Sequence, residues 1–276
     1  MTEVSVISTT YNEEDNLAGA EETVLSQTYD DFEWVIVDDG SNDRTPQMLS
    51  ELEERESRVR VEIPDKKLGR AEALNRAVKL AEGMYIANQD IDDNSYPNRI
   101  ERQVKFLDNR PNVGGIGSYY LRDDRIRGEK YIRKFPTEHR EIVRALAKYV
   151  PIAHTLAMYR KSAWEDAGGY PKIDNGVEDH GLWVQMASSG WNLATVPEVL
   201  GEHVVYDESS FHSGFNYYSR QLTLARMQAK AISTLNLPRW MYGYCLARLG
   251  YPLLPTKLKR VLRRLVANFN EEDKDV

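Results

Sequence analysis

The chain has 276 residues, of which 41% are hydrophobic and 29% are charged. This length predicts one large domain, or a domain with an appendage, and it is sufficient to bury a hydrophobic core. A single cysteine, Cys245, excludes a disulfide framework and a cysteine-built zinc site. No run of about 18 apolar residues is present, and the first residues lack a secretory signal pattern. We therefore expect no transmembrane helix and a cytoplasmic protein.

The net charge of −7 conceals a division of the chain. Residues 1–208 carry 39 acidic and 25 basic side chains, whereas residues 209–270 carry ten basic side chains and no acidic one. This division predicts an acidic body over residues 1–208 and a basic C-terminal extension over residues 209–276. The acidic body argues against a nucleic-acid partner, because it would repel phosphate.

The first half of the chain alternates between short β-branched runs and amphipathic segments. Strands are predicted over residues 4–9, 32–37, 59–63 and 84–88, and helices over residues 13–28, 43–56 and 70–82, with Gly83 as the C′ residue of the last. Such alternation predicts an α/β fold with a Rossmann-like, mostly parallel sheet flanked by helices. Ligands of such sheets bind beyond the carboxyl ends of the strands.

The second half is less regular. Helices are predicted over residues 97–109, 137–149 and 178–189, and strands over residues 113–119, 151–159 and 191–196. Ser162 and Glu165 have the spacing of a capping box and predict a short helix. A long helix is expected beyond Ser209, and Pro238, Pro252 and Pro255 then divide the extension into short pieces.

Three carboxylates follow the fourth predicted strand directly, in the sequence Asp90-Ile91-Asp92-Asp93. Close carboxylates repel one another, and a divalent cation with a preference for oxygen ligands, Mn²⁺ or Mg²⁺, would remove that repulsion. The alternative is a solvated acidic loop at the start of the next helix. Taken alone, the cluster favours the metal only slightly.

Other polar residues also lie at predicted element ends, and each has a structural alternative. The turn at residues 38–41 can hold its own backbone or accept hydrogen bonds from a nucleobase or ribose. Arg70 opens a helix, where it can meet an anion or simply face solvent. Glu178 and Asp179 also open a helix, where the helix dipole favours acids, but a positioned carboxylate there can act as a general base.

The order and spacing of these segments resemble the inverting nucleotide-sugar glycosyltransferases of family 2, which have the GT-A fold. The resemblance covers roughly residues 4–208. The matching stretches are residues 8–14, 35–41, 69–75, 87–93 with Pro97 and Arg99, 154–160, 168–170, and Glu178-Asp179 with Leu182-Trp183.

The resemblance implies a role for each matching residue. A nucleotide-sugar donor half would span about residues 1–95 and an acceptor half about residues 96–208. The residues that it implies for nucleotide-sugar binding are Thr9, Thr10, Tyr11, Glu13, Asp38, Asp39, Arg70, Asn75 and Asp90. Asp92 and Asp90 would bind the metal, with Asp93 as a supporting ligand. Asp179, with Glu178, would carry out catalysis. His154 and Trp183 would bind the acceptor. Family members often carry a metal-binding histidine after the last strand, and here His203 or Tyr206 could occupy its place.

The implied reaction is the transfer, with inversion, of a sugar from a UDP- or GDP-sugar to a hydroxyl of a glycan or lipid-linked glycan. A polyprenyl-phosphate glycosyl synthase is the near alternative, although its phosphate nucleophile needs no base such as Asp179. A nucleotidyltransferase and a non-catalytic nucleotide-binding module are more distant alternatives.

The extension lies outside the resemblance. Residues 239–264 mix cations with aromatics, and residues 258–266 have apolar residues at helical spacing. Such a segment can lie on an anionic bilayer, which would bring the enzyme to the cytoplasmic face of a membrane. Equally, its apolar stripe can pack on the catalytic domain.

Overall fold

The computed structural model describes residues 2–173, 176–206, 217–251 and 254. Within these residues, nine strands form one sheet. The strands are β1 (Val4–Thr10), β2 (Phe32–Asp38), β3 (Val59–Glu62), β4 (Tyr85–Asn88), β5 (Asn94–Ser95), β6 (Val113–Asp124), β7 (Glu129–Arg133), β8 (Met158–Arg160) and β9 (Asn192–Val205).

The sheet has the order β3-β2-β1-β4-β8-β6-β9-β5, and β7 pairs with β6. The first four strands of this order are parallel, so their carboxyl ends share one edge. β8 is antiparallel to both β4 and β6, whereas β6 and β9 are parallel. The predicted α/β fold is confirmed, with a wholly parallel first half and a mixed second half.

Helices cover the sheet because alternate residues of its central strands are apolar on both faces. Trp34 and Ile36 of β2 enter one buried cluster, and Val35 and Val37 enter the other. The helices are α1 (Leu17–Leu25), α2 (Thr45–Arg55), α3 (Arg70–Leu80), α4 (Arg99–Asp108), α5 (His139–Leu146), α6 (Lys161–Ala167), α7 (Glu178–Ser188), α8 (Tyr217–Thr234) and α9 (Tyr242–Gly250).

Two predictions for the second half were wrong. The apolar run over residues 151–159 is a buried loop for most of its length, and only its end belongs to β8. A short apolar run cannot by its periodicity distinguish a buried loop from a strand. The capping box is also absent, because α6 begins at Lys161 and its N-cap, Arg160, makes no side-chain capping bond.

The described part of the extension packs on the body. Met241 and Cys245 join Ala147 and Ala225 in a small buried cluster, and Gln228 Nε2 donates to Lys148 O. The predicted break at Pro238 is confirmed by the end of α8 and a 3₁₀ turn over Arg239–Met241. None of the helices in the described residues has the combination of length and hydropathy that a membrane-spanning segment requires.

Pro252, Pro255 and the basic residues from 257 onward lie outside the described residues, as do residues 207–216 around the predicted boundary. The division into a catalytic domain over residues 1–208 and an extension over residues 209–276 therefore stays a prediction.

Candidate active site

The candidate site lies at the carboxyl ends of β1, β2 and β4. Parallel register sets Thr10 opposite Asp38, and Ile7 opposite Asn88, which lies two residues before the acidic cluster. Because parallel strands end on the same edge, the turn after β2 and the loop after β4 are neighbours of the turn after β1.

The Asp38 carboxylate is fully engaged by its own turn. Oδ1 accepts a hydrogen bond from Thr10 Oγ1 at 3.0 Å, and Oδ2 accepts from the backbone of Gly40 at 3.1 Å and of Ser41 at 2.9 Å. The Ser41 hydroxyl also donates to Oδ1. The structure therefore gives Asp38 the role of an Asx turn and leaves it no free oxygen for a nucleotide.

Asp39 is only half engaged. Its Oδ1 accepts the backbone N–H groups of Leu68 at 2.7 Å and Gly69 at 2.8 Å, which fills both lone pairs of that oxygen. Its Oδ2 has no hydrogen-bond partner among the described residues, and solvent reaches it. Nearby, Lys67 Nζ lies 3.2 Å from the centre of the Tyr11 ring, whose residue is 37% exposed. Half-buried Thr9 also lies at this edge.

Arg70, Asp90 and His154 meet at the end of β4. Arg70 Nη2 donates to Asp90 Oδ1 at 2.9 Å, and His154 Nδ1 lies 3.5 Å from the same oxygen. Burial raises the pKa of Asp90, but Arg70 and His154 lower it by more, so the pKa lies well below the usual range. The same loop lies close to the N-terminus of α3, which Arg70 opens.

The buried Tyr170 side chain contacts His154 of this group and also Asn88 of β4. Its hydroxyl lies 3.2 Å from His154 Nε2 and 3.1 Å from Asn88 Nδ2. Asn75 holds the Tyr170 backbone, since its Oδ1 accepts Tyr170 N at 2.7 Å and its Nδ2 donates to Tyr170 O at 2.8 Å. Both polar atoms of the Asn75 side chain are thus bonded to the Tyr170 backbone, so the structure does not direct this amide at a diphosphate.

Asp92 is the least compensated of the three carboxylates. Burial raises its pKa to about 7, and the carboxylates of Asp93, Asp90 and Glu13 add to the rise. Its one hydrogen bond to another residue within the described chain comes from the Tyr206 hydroxyl at 3.3 Å. A divalent cation would relieve this concentration of negative charge.

The Asp93 carboxylate is held by residues of β9. Its carboxylate lies 2.9 Å from His203 Nδ1 and accepts the backbone N–H of Val204 at 2.9 Å. His203 and Tyr206 were the two candidates for the position of the family's metal-binding histidine. In the structure, Tyr206 contacts Asp92 and His203 contacts Asp93. Glu13 accepts from Asn16 Nδ2 at 2.8 Å, and burial raises its pKa.

The residues present fit a divalent cation that is shared with a ligand. Asp90 and Asp92 supply oxygen donors, and a magnesium-type site needs only one or two protein carboxylates when phosphates complete it. In the parts of the chain that the structure describes, no group of three His, Cys, Asp or Glu side chains forms a metal-binding set. The fit therefore depends on oxygens that a diphosphate would bring.

Glu178 and Asp179 form the first turn of α7, opposite the acidic loop. Glu178 is 5% exposed, and burial raises its pKa while Arg70 opposes that rise. Asp179 is half-buried, and its Oδ1 accepts the backbone N–H of His180 at 2.7 Å. Both carboxylates are near enough to Arg70 to raise its pKa against the effect of burial. The Arg70 guanidinium is therefore within electrostatic reach of both the acidic loop and α7.

Trp183 was expected to contact the acceptor, but the structure places its side chain in the core. It is fully buried, and its indole N–H donates to Ile152 O at 3.2 Å. It lies one turn into α7, and its side chain belongs to the buried core. A tryptophan beside an acid pair is equally typical of a core and of a sugar platform, and only the helix orientation separates the two.

Two further residues, Gln89 and Arg99, belong to the stretches that carry the resemblance, but the sequence predicted no role for either. Gln89 Nε2 donates to the backbone of both Asp90 and Asp93, and Arg99 Nη1 donates to Gln89 Oε1 at 2.9 Å. A charged residue at the start of a helix is typical of an exposed position, so charge gave no signal for Arg99. Its spacing of four from Gln103 on the buried side of α4 was the available clue.

Known proteins resemble this chain in sequence. The sequence profile of the family described as "Glycosyl transferase family 2" matches residues 5–168. The chain is 30% identical over 275 residues to EpsE of Bacillus subtilis, a candidate glycosyltransferase by name, covering 97% of this chain and 96% of EpsE. It is also 30% identical over 187 residues, 68% of this chain and 71% of the relative, to WfaP of Escherichia coli. WfaP is named a UDP-Glc:α-D-GlcNAc-diphosphoundecaprenol β-1,3-glucosyltransferase.

Solved structures resemble the fold. TarS of S. aureus, residues 1–349 with UDP-GlcNAc, superposes with a TM-score of 0.69 at 17% identity, covering 90% of this chain and 72% of TarS. The mannosyltransferase PcManGT of Pyrobaculum calidifontis, with GDP-Man and Mn²⁺, gives a TM-score of 0.62 at 19% identity, covering 97% and 80%. The profile match, the relatives and the shared fold agree with the order of the segments, and the chain belongs to glycosyltransferase family 2 with the GT-A fold.

Proposed function

We propose that this protein is an inverting glycosyltransferase of glycan biosynthesis. It transfers a sugar from a UDP- or GDP-sugar to a hydroxyl of a glycan or lipid-linked glycan. One observation carries the proposal: Arg70 binds Asp90 at the end of β4 and is also within electrostatic reach of Glu178 and Asp179. A donor diphosphate and a base for the acceptor would thus share one pocket.

In the proposed reaction, the Asp179 carboxylate takes the proton of the acceptor hydroxyl. The acceptor oxygen then bonds to the anomeric carbon while the bond from that carbon to the diphosphate oxygen breaks. The electron pair leaves with the nucleoside diphosphate, next to Arg70. The alternative synthase reaction has a phosphate nucleophile, and Asp179 would be idle in it.

We propose that Asp92 and Asp90 hold a divalent cation, Mn²⁺ or Mg²⁺, together with the donor phosphates. When bound, such an ion neutralises charge on the departing diphosphate. Asp93 then has a positioning role, because it directs His203 and the backbone of Val204. Tyr206 lies nearest to Asp92 and would border the same site.

The donor base would lie above the ends of β1 and β2, beside Tyr11 and Asp39. Asp39 Oδ2 is the one carboxylate oxygen of the Asp38 and Asp39 pair that is free to accept a base N–H. Glu13 and Thr9 would line the path from the base to Asp90. His154, which touches Asp90, would contact the acceptor or the transferred sugar.

A lipid-linked acceptor is supported by the name of the Escherichia coli relative and by the acid-free run at residues 209–270. We propose that cations beyond residue 256 bring the protein to an anionic bilayer on the cytoplasmic side, where such an acceptor would be presented.

A thermal-shift screen tests the proposal. UDP- and GDP-sugars, each with Mn²⁺, Mg²⁺ or EDTA, should identify a donor that raises the melting temperature, since a ligand at 100 times its Kd stabilises a protein by about 2.7 kcal/mol. Asp92→Asn should lose the metal-dependent part of that shift and keep the metal-free part. If no nucleotide shifts the wild-type protein, the proposed function is wrong.

A further inference from the structure

The side chain of Arg99 is buried directly behind the acidic loop. It is 1% exposed, and no carboxylate of the described chain lies within ion-pair distance of it. Burying a cation without a partner is costly, so such a group persists only where its hydrogen bonds and surrounding field compensate. Within the described residues, its guanidinium donates only to neutral oxygens.

One of these oxygens is Gln103 Oε1 of the same helix, α4, and the others belong to four segments that converge on the site. Nη2 donates to Asn88 O at 2.6 Å, and Nη1 donates to Gln89 Oε1 at 2.9 Å and to Ser95 Oγ at 2.6 Å. A longer contact of 3.4 Å reaches Thr155 O, next to His154. The guanidinium thus joins the end of β4, the acidic loop, β5 and the loop that carries His154.

Gln89 extends this hold to both ends of the acidic loop. Its Oε1 is fixed by Arg99, and its Nε2 donates to Asp90 O at 2.8 Å and to Asp93 O at 2.7 Å. Arg99 therefore fixes the backbone of the loop without touching any carboxylate oxygen. The carboxylates receive a nearby positive charge, and Arg99 occupies none of their oxygens.

Resting on the proposed function, we infer that Arg99 is a positioning residue that, through Gln89, holds the Asp90–Asp93 loop in a metal-binding conformation. Its charge offsets the repulsion among carboxylates, and its planar fork fixes the backbone that carries them. The affinity for the cation should then depend on Arg99, whereas binding of the base at the ends of β1 and β2 should not.

The test is Mn²⁺ binding, with free Mn²⁺ measured by electron paramagnetic resonance at saturating UDP or GDP, whichever stabilises the wild type more. Arg99→Met should raise the Kd for Mn²⁺ at least tenfold, and Arg99→Lys, which keeps the charge but not the fork, should lie between. Binding of the same nucleotide in EDTA should stay unchanged. The matched control is Arg102→Met, which removes a surface cation of α4 that pairs with Glu198.

Gln89→Leu keeps the inference testable if Arg99→Met does not fold, because it breaks the link and leaves the buried cation in place. It should also raise the Kd for Mn²⁺. Wild-type Mn²⁺ affinity in Arg99→Lys and Gln89→Leu would overturn the inference alone. Absence of Mn²⁺ binding by the wild-type protein with its nucleotide would overturn the proposed metal role and the inference with it.

Discussion

Hydrogen bonds divide carboxylates that look alike in the sequence. Asp38 is filled by its own turn, while Asp39 keeps one free oxygen. Asp90 is paired with Arg70, and the one hydrogen bond that Asp92 accepts from another described residue comes from a tyrosine hydroxyl. These environments suit four different roles, which are a rigid turn, a base contact, a held carboxylate and a metal ligand.

The division of Asp38 and Asp39 predicts opposite phenotypes for matched substitutions. Asp39→Asn should keep Oδ1 on Leu68 and Gly69 but replace the free acceptor oxygen with a donor amide, weakening nucleotide binding about tenfold, the size of a lost charged hydrogen bond. Asp38→Asn should instead lower the melting temperature, because it removes acceptors from the turn. Calorimetric titration and thermal melting distinguish the two, and equal nucleotide affinity in Asp39→Asn and wild type would contradict the base contact.

Asp179→Asn should lower kcat roughly 10² to 10⁴-fold, the range for loss of a general base, with donor binding unchanged. Steady-state transfer and a donor thermal shift measure the two quantities. Glu54→Gln, an exposed carboxylate of α2, is the control and should be neutral. Transfer at the wild-type rate in Asp179→Asn would remove the assigned base and favour the synthase alternative.

At the scale of elements, long amphipathic segments were predictable and close approaches were not. The apolar stripe of α4 is buried at Ile100, Val104 and Leu107, as its spacing indicates. Gly83 was predicted as the C′ residue of a helix over residues 70–82, but α3 ends at Leu80, two residues before that predicted end. A glycine is needed at position 83 for a different reason, because the backbone of β1 lies too close to leave room for a side chain.

That proximity predicts the effect of a single methyl group. A Cβ at Gly83 would lie 2.6 Å from Ser5 N, so Gly83→Ala should cost about 1–3 kcal/mol of unfolding free energy by overpacking. Gly19→Ala is the matched control. It lies in α1 with nothing within 4 Å of the added Cβ and should stabilise by about 0.5–1 kcal/mol. Denaturant unfolding measures both, and a neutral Gly83→Ala would contradict the close contact.

At the scale of the whole molecule, charge and packing separate the two parts of the extension. Its described part is packed on the body through α8 and α9. The strongest run of cations, Lys257 to Arg264, follows that part. Packing and membrane association, which the sequence left as alternatives, can therefore belong to different segments.

Replacing the five cations between residues 257 and 264 with Gln should abolish binding to vesicles that contain anionic lipid, because each cation contributes about 1 kcal/mol near such a surface. The melting temperature and the donor thermal shift should not change. Cosedimentation with anionic and with neutral vesicles is the measurement. Undiminished binding to anionic vesicles would contradict the proposed membrane role.

The sequence by itself determined the α/β fold, the family and the strand ends at which the acidic loop lies, because hydrophobic periodicity and ordered motifs are local properties of the chain. Only the tertiary structure decided that Trp183 is core, that Asn75 holds Tyr170 and that Arg99 lies behind the acidic loop. Those roles depend on hydrogen bonds between residues that are far apart in sequence. Such contacts leave no periodic signal in the chain.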